Sequence, residues 1–406
     1  MPGLTANPLK IAICGAGPVS LTLANILQNN HIPFTIYEAA PEIRTQGGSL
    51  DLHPQSGQLA LQEAGLWDLF KQYARPESDV LKLVKFNGEV VWDGNGADKQ
   101  EVAESEKFDG RPEIDRRMLM KLLYENLNKE SVIFGKKLRE VVPSETTQKK
   151  YDLHFADNTT ATGFDLVIGA DGAWSRVRSL LTDEKPRYSG ISMVCTSLAN
   201  IYSNPWLLDY VGEGSMFSFG QDTAIQAQRG DNGILLTYAS LRVPEDFFDT
   251  CGIDWTDAAA ARRNYMSKYF SHVSPELQRV FLECIDDLDL RPLYELPIGF
   301  SWASKPGVTL AGDAAHVMTP FAGVGVNVGM SDALVLGREV IAACGGEKTL
   351  DEALKAYEEE MIPRAAKFAQ RTAHGKENHF SATGVQEFAD MLRQHHAAAQ
   401  SVQKKE

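Results

Sequence analysis

Cysteine is scarce in this chain of 406 residues: there are five, and the nearest two, Cys251 and Cys284, stand 33 positions apart. That spacing leaves no C-x-x-C redox or zinc pair and no disulfide framework, so a reduced, intracellular protein is the simple reading. No apolar run approaches the ~20 residues that a membrane-spanning helix requires, which argues against stable membrane association. Basic residues are outnumbered, with 40 Lys and Arg against 54 Asp and Glu and a net charge of -14. Such a balance repels phosphate backbones, and nucleic acid is not an expected partner. Near the N-terminus a single lysine, Lys10, precedes the short run Ile11-Ala12-Ile13-Cys14, unlike the longer apolar core of a secretion signal. A cytoplasmic monomer is expected. G-x-S-x-G, H-E-x-x-H and P-loop patterns are missing too, so a serine hydrolase, a zinc protease and a P-loop enzyme have no support.

What is present is enough length for two or three domains and, at 43% hydrophobic residues, a sizeable core. The first forty residues read as a β-α-β unit: a buried strand Ile11 to Cys14, a helix Pro18 to Gln28, and a second strand Phe34 to Tyr37. A helix is expected around Ser56 to Gln72, strands near Val80 to Phe86 and Glu89 to Trp92, and an exposed acidic loop from Gly94 to Phe108. Arg116 to Asn128 has helical spacing, and Asp165 to Gly172 is a second buried strand ending in a Gly-Asp-Gly turn. From Pro186 to about Tyr294 the pattern alternates, as in Ser215 to Gly220, Ala224 to Arg229 and Ile234 to Tyr238, with a helical insertion near Ala258 to Phe270. This predicts an antiparallel sheet. The buried-strand style returns at Val308 to Asp313 and leads into a long helix, Val326 to Cys344. Thr349-Leu350-Asp351-Glu352 is a capping-box start for another helix, kinked or broken at Pro363. The tail after Ala397 is expected to fray.

Two motifs carry chemistry. Gly15-Ala16-Gly17-Pro18-Val19-Ser20 fits the dinucleotide fingerprint except at its last position, where Ser20 replaces the third glycine. The first glycine permits the tight turn, and the second lets the backbone approach a pyrophosphate on the helix N-terminus. Glu38, 21 residues after Gly17, ends the next strand, where a carboxylate can accept from the hydroxyls of an adenosine ribose. The second motif runs from Gly312 to Asn327. A buried strand delivers Asp313 to its carboxyl end, suited to a polyol chain; Pro320 follows, and a glycine-rich turn opens the long helix. The free N–H groups at that helix start suit an anion such as the pyrimidine ring of a reduced flavin.

With these residues the chain resembles a class A FAD-dependent monooxygenase of the p-hydroxybenzoate hydroxylase fold, most closely the tetracycline-inactivating enzymes. The resemblance extends over Gly15 to Ser20 with Glu38, Gly47-Gly48-Ser49-Leu50-Asp51-Leu52-His53, Phe108 with Pro112 to Arg116, Gly169 to Arg178, and Gly312 to Asn327. It implies that Gly15, Gly17, Pro18 and Val19 hold the FAD pyrophosphate, Glu38 the ribose, Arg116 the flavin side chain and Asp313 the ribityl hydroxyls. Pro320, Gly323, Val324, Gly325, Val326 and Asn327 would lie against the isoalloxazine, with Pro320, Gly323 and Gly325 positioning it for catalysis. Asp171, Gly172, Ser175 and Arg178 form an element associated with FAD and the nicotinamide; a salt-bridged helix start is the structural alternative. Val324 stands where relatives often carry glutamine.

The fold implied is α/β: a Rossmann-like FAD-binding domain in three parts (1–78, 108–185, 295–347), interleaved with an antiparallel-sheet substrate domain (79–107, 186–294) and followed by C-terminal helices and tail (348–406). The activity implied is NAD(P)H- and O2-consuming hydroxylation of an electron-rich aromatic or enolic small molecule through a C4a-hydroperoxyflavin, with FAD resident and NADPH or NADH a transient co-substrate. Gln226 and Gln228 share one strand face and, with Phe321, are the candidate substrate contacts; edge-strand solubility explains the two glutamines equally well. No arginine stands near Gly214-Ser215 and no histidine near Leu236, so tetracycline is not singled out over another secondary-metabolite scaffold. No metal site is expected: His374, His379, His395 and His396 scatter over a polar helical tail, and His316 reads as a structural hydrogen-bonding residue. A flavin-free NAD(P)-dependent dehydrogenase would share only the first motif. A non-catalytic FAD-binding interaction module would share both. A halogenase would carry a W-x-W-x-I-P element, which is missing.

Overall fold

A computed structural model describes residues 9–44, 47–78, 80–99 and 106–403. Packing divides the chain into two compact units. The first comprises the chain through Ala74, Ile114–Arg187 and Tyr294–Thr372; the second comprises Arg75–Glu113, Tyr188–Leu293 and the chain from Ala373.

The first unit is built on a five-stranded parallel sheet in the order Val308–Leu310, Leu166–Gly169, Ile11–Cys14, Phe34–Tyr37, Val132–Ile133. Two of the central strands, Ile11–Cys14 and Leu166–Gly169, are short continuous apolar runs and almost wholly buried, as strands covered on both faces require. Helix Pro18–Asn29 opens with proline in its first turn and packs on the long helix Gly325–Cys344. Their approach is close: a Cβ added to Gly329 would lie 2.6 Å from Val19 Cγ2, and one on Gly337 would lie 2.9 Å from Ile26 Cγ2. The small residues that permit it therefore sit on the long helix. Ser20, at the fingerprint's departing position, is fully buried in the first. A three-stranded antiparallel sheet, Leu138–Pro143, Tyr151–Phe155 and Thr160–Phe164, packs Phe155 against the Tyr37 ring at 5.0 Å between centroids.

The second unit is a seven-stranded sheet in the order Asp289–Glu295, Arg187–Leu198, Leu235–Arg242, Thr223–Arg229, Ser215–Gly220, Leu81–Val84, Val90–Asp93. From Arg187–Leu198 to Val90–Asp93 the neighbouring strands are antiparallel except Ser215–Gly220 beside Leu81–Val84. One face, with Val194, Ile225, Ala227, Leu235 and Ala239, is buried under helices Ala258–Tyr269 and Pro275–Leu282. Helix Gly384–Gln403 packs against the strands Leu81–Val84, Val90–Asp93 and Ser215–Gly220, where the Phe219 ring stacks on His379 at 4.1 Å.

Several local expectations need correction. The helix expected over Ser56 to Gln72 is three pieces, a π turn Pro54–Gln58 and helices Leu59–Glu63 and Trp67–Tyr73. Gly65, at φ +69°, takes the left-handed conformation that ends the middle piece. Helix Leu350–His379 runs through Pro363 instead of breaking there. The missing N–H removes one bond of the ladder, while buried Tyr357 and Met361 hold the preceding turns in place. The last helix continues to Gln403 rather than fraying after Ala397; residues 404–406 lie outside the described residues, as does the 100–105 part of the expected acidic loop. Helices Pro205–Val211 and Pro275–Leu282 were hidden by the alternating texture around them, although each begins on an asparagine or serine cap followed by proline. The capping box forms as expected: Thr349 N donates to Glu352 Oε2 at 2.8 Å and Glu352 N to Thr349 Oγ1 at 3.2 Å.

Candidate functional site

Parallel strands deliver their carboxyl ends to one edge of a sheet, and the first unit collects its polar residues there. Strand Ile11–Cys14 ends in the Gly15-Ala16-Gly17 turn, Phe34–Tyr37 ends at Glu38, Leu166–Gly169 leads to Asp171, and Val308–Leu310 leads to Asp313. Gly15 has φ +95°, and a Cβ there would lie 2.4 Å from the Ala170 carbonyl oxygen, so only glycine lets the two strand ends pass. Glu38 is buried and holds the loop: Oε2 accepts from Ala16 N and Oε1 from Ala40 N, both at 2.7 Å. Each oxygen keeps a further lone pair for a ligand hydroxyl.

Asp171 is the least satisfied of these carboxylates. Its Oδ2 accepts from Arg176 N at 2.7 Å, whereas Oδ1 is shielded from solvent with no hydrogen-bond partner. Burial pushes its pKa up despite the bonds it accepts. Arg178, in contrast, is a buried structural tie, donating to the carbonyls of Ala173, Ala314 and Glu184. Cys14 sits in the core of the first strand, its thiol pKa raised by burial and then by Asp171.

Asp313 is exposed at the start of a single helical turn, Asp313–His316. Behind it lies a buried charge network: Asp332, fully buried on the long helix, accepts from Gly312 N at 2.8 Å, from His316 Nε2 at 2.6 Å and from Arg364 Nη2 at 2.9 Å. Burial disfavours the charged imidazole, but the Asp332 carboxylate and its hydrogen bond, with Asp313, hold the His316 pKa above its ordinary value. Pro320 and Gly323 are exposed, Val324 is buried, and Gly325 and Val326 are half-buried at the helix start. Phe321, a candidate substrate contact, is only 7% exposed. The Asn327 side chain is committed to protein: Oδ1 accepts from His53 N, Ser56 Oγ and Gly57 N, and Nδ2 donates to Asp51 O. Arg116 begins helix Arg116–Glu125, its Cδ 2.4 Å from the Cβ position of Gly47.

These features fit a dinucleotide. Helices Pro18–Asn29 and Gly325–Cys344 both begin without a side-chain cap, leaving backbone N–H groups for an anion. A Cβ on Gly17 or on Gly325 would meet nothing within 4 Å, so the backbone is open at both helix starts, and the orphaned Asp171 oxygen awaits a donor. Among the described residues no group of three or more His, Cys, Asp or Glu could hold a metal ion, and no helix is long and apolar enough to cross a membrane.

In the second unit, register puts Gln226 directly between Phe217 and Tyr238, with Cys195 beyond Tyr238; Gln228 stands between Ser215 and Leu236. Directly opposed residues share a face, so this row lies on the face away from the buried helices. Gln226, Gln228, Phe217 and Tyr238 are half-buried. Burial raises the pKa of the Tyr238 phenol and pushes that of the Cys195 thiol up to about 12. Arg291, on the neighbouring edge strand, pairs with Asp289, its Nε 2.6 Å from Oδ2. Tyr238 and Arg291 were missed in the sequence; the period-2 run Leu236-Thr237-Tyr238 was the available signal for the first.

The chain matches the FAD binding domain family over residues 9–220 and 302–372. Monooxygenase penA of Penicillium thymicola is 29% identical over 95% of this chain and 99% of its own. Among solved structures, Klebsiella pneumoniae HpxO complexed with FAD and uric acid superposes with a TM-score of 0.76 at 21% identity, covering 95% of this chain and 93% of that one. Tetracycline destructase Tet(51) gives 0.69 at 18% identity, covering 96% of each. These structures share the fold of this chain. With more than half of its length matched, this chain belongs to the FAD binding domain family and is an FAD-dependent monooxygenase.

Proposed function

We propose that this enzyme hydroxylates an electron-rich aromatic or enolic small molecule, taking electrons from NADPH or NADH and one oxygen atom from O2. The observation that carries the reading is the convergence on one sheet edge of the Gly15–Val19 loop, Glu38, Asp171 and Asp313, next to the uncapped helix at Gly325. In this reading the first unit is the FAD-binding domain. The Gly15–Val19 backbone binds the pyrophosphate, Glu38 accepts from ribose, Asp171 takes a donor on its orphaned oxygen, Asp313 binds the ribityl chain, and Arg116 contacts that chain. Pro320 and the Gly323–Asn327 backbone orient the ring system.

Bound FAD supplies two-electron exchange with the nicotinamide and the activation of dioxygen. The protein's part is orientation and electrostatics: the N-terminus of helix Gly325–Cys344 stabilises negative charge that develops at the ring. Gln226, Gln228 and Tyr238 are the polar groups of the substrate face, with Phe217 supplying an apolar wall. Uric acid and tetracycline, named with the similar structures, are fused ring compounds, which agrees with a flat, half-apolar face bearing a few directional groups. Labelled dioxygen tests the reaction. An accepted phenol or enol gains one labelled oxygen atom per turnover, less what leaks as hydrogen peroxide; label arriving from water contradicts monooxygenation.

A further inference from the structure

The segment Gly47 to His53 is part of the resemblance yet has no role in the account so far. Leu52 is fully buried, and the extended backbone on either side of it turns Asp51 and His53 to the other face. Their side chains meet there, His53 Nε2 lying 3.0 Å from Asp51 Oδ2, with about a fifth and about three-tenths of each exposed. One side chain clamps both residues: Asn327 Nδ2 donates to Asp51 O, and Asn327 Oδ1 accepts from His53 N, each at 2.8 Å. Asp51 Oδ1 stands 4.0 Å from the position a Cβ would take on Gly323, so the pair borders the turn that opens the long helix. The other charged groups on neighbouring backbone are Asp115, which accepts from Ser49 Oγ at 2.9 Å, and Arg116, whose N donates to Gly48 O.

A neutral imidazole that donates Nε2–H to a carboxylate keeps its lone pair on Nδ1. Among the described residues that Nδ1 makes no hydrogen bond. A carboxylate that fixes the tautomer and offsets the imidazolium charge is what lets a histidine act as a general base.

We propose that His53 is the general base of this enzyme, taking at Nδ1 the proton of a substrate ring hydroxyl; Asp51 is the positioning residue. The inference rests on the monooxygenase reading above. In the step, the substrate O–H bond breaks and its proton forms a bond to His53 Nδ1. The electron pair stays on oxygen and enriches the adjoining ring carbons, where an electrophilic oxygen is then accepted. Asp51 balances the imidazolium charge; the proton transfer itself is redox-neutral, and the later oxidation of the ring carbon draws on the O2 and NAD(P)H of the proposed reaction. An O-methylated analogue has no proton to give and is not hydroxylated.

The test uses 4-nitrophenol, yellow as phenolate and colourless as the neutral phenol, mixed with the FAD-loaded chain at a pH below the free probe's own pKa. The difference spectrum against the loaded chain alone reads ionisation of the bound probe. Wild type is expected to bind the phenolate. His53→Gln keeps the backbone N–H that Asn327 accepts, and its bound probe is expected to be ionised about tenfold less, equivalent to one pKa unit. Asp51→Asn replaces the carboxylate beside His53 Nε2 with a neutral amide, so the phenolate band is expected to be weaker than in wild type at the same pH. On unmodified protein, 4-nitrophenol should slow diethyl pyrocarbonate labelling of His53, located by peptide mass. A wild-type complex without the phenolate band, equal bands in wild type and His53→Gln, or an unprotected His53 overturns the assignment. Flavin content of the same samples reports separately: a full phenolate band in a chain that retains no flavin contradicts the monooxygenase reading and leaves His53 as the base.

Discussion

The two units place their polar chemistry in different parts of the chain. In the reading proposed above, the first unit offers FAD mostly backbone N–H at two helix starts, with single carboxylates at strand ends. The second offers substrate the side chains Gln226, Gln228 and Tyr238, spread over two strands of one sheet. Backbone groups are invariant from residue to residue, so a site built of them binds a common cofactor and changes little with surface substitution. A site built of side chains on a rigid sheet can be re-specified one residue at a time, as a substrate face requires.

The largest break in that comparison is expected at Asp332. Asp332→Ala leaves buried His316 without its carboxylate and half-buried Arg364 with Glu360 alone, and breaking a buried pair costs roughly 3–5 kcal/mol. Urea denaturation should show that loss, with FAD release, because Gly312 N loses its acceptor just before Asp313. Glu38→Ala comes next. It removes two charge-assisted bonds from Ala16 and Ala40, about 1.5–3 kcal/mol each, and weakens FAD retention with the chain still folded. Fluorescence of released flavin measures it.

Gly325→Asp sharpens the electrostatic part of the account. Its Cβ meets nothing within 4 Å, so the substitution fits, and the added carboxylate should slow flavin reduction in stopped-flow absorbance while FAD stays bound. Normal reduction in that variant would place the ring's charged edge elsewhere. The smallest expected effect is one of pH. Because the folded pKa of His316 is raised, its protonated form stabilises the native state fully below the ordinary histidine range, about pH 6.5, and that contribution is lost as pH rises through the raised value. Thermal midpoints across that window should fall in wild type and flatten in His316→Gln.

What the sequence made legible follows the same division. The Gly15–Val19 loop, Glu38 and the Thr349 capping box are local patterns whose spacing alone fixes the backbone geometry. Asn327 clamping Asp51 and His53 joins residues more than 270 positions apart, and nothing in either segment announces the other. Gln226 could be put on a face by alternation, but its neighbours Phe217 and Tyr238 depend on register, which long-range pairing decides. At Pro363, where a kink or a break was expected, the helix does not break, because a helix interior tolerates proline when tertiary packing outweighs one lost bond. Ser20 marks where the fingerprint departs, while the glycines that bring the helices together, Gly329 and Gly337, lie on the distant partner.

One paired titration tests the central claim, that the first unit holds FAD and the second selects the substrate. The FAD dissociation constant is measured by flavin fluorescence for wild type, Glu38→Ala and the double variant Gln226→Ala/Tyr238→Phe, and each is then scored for ligand-stimulated NADPH oxidation over a panel of phenols and enols. The account predicts that Glu38→Ala loses FAD affinity by at least about tenfold, equivalent to about 1.4 kcal/mol, whereas the double variant binds FAD as wild type does and loses or changes its response to the panel. Wild-type FAD affinity in Glu38→Ala, or FAD loss in the sheet variant with its panel response unchanged, would contradict it.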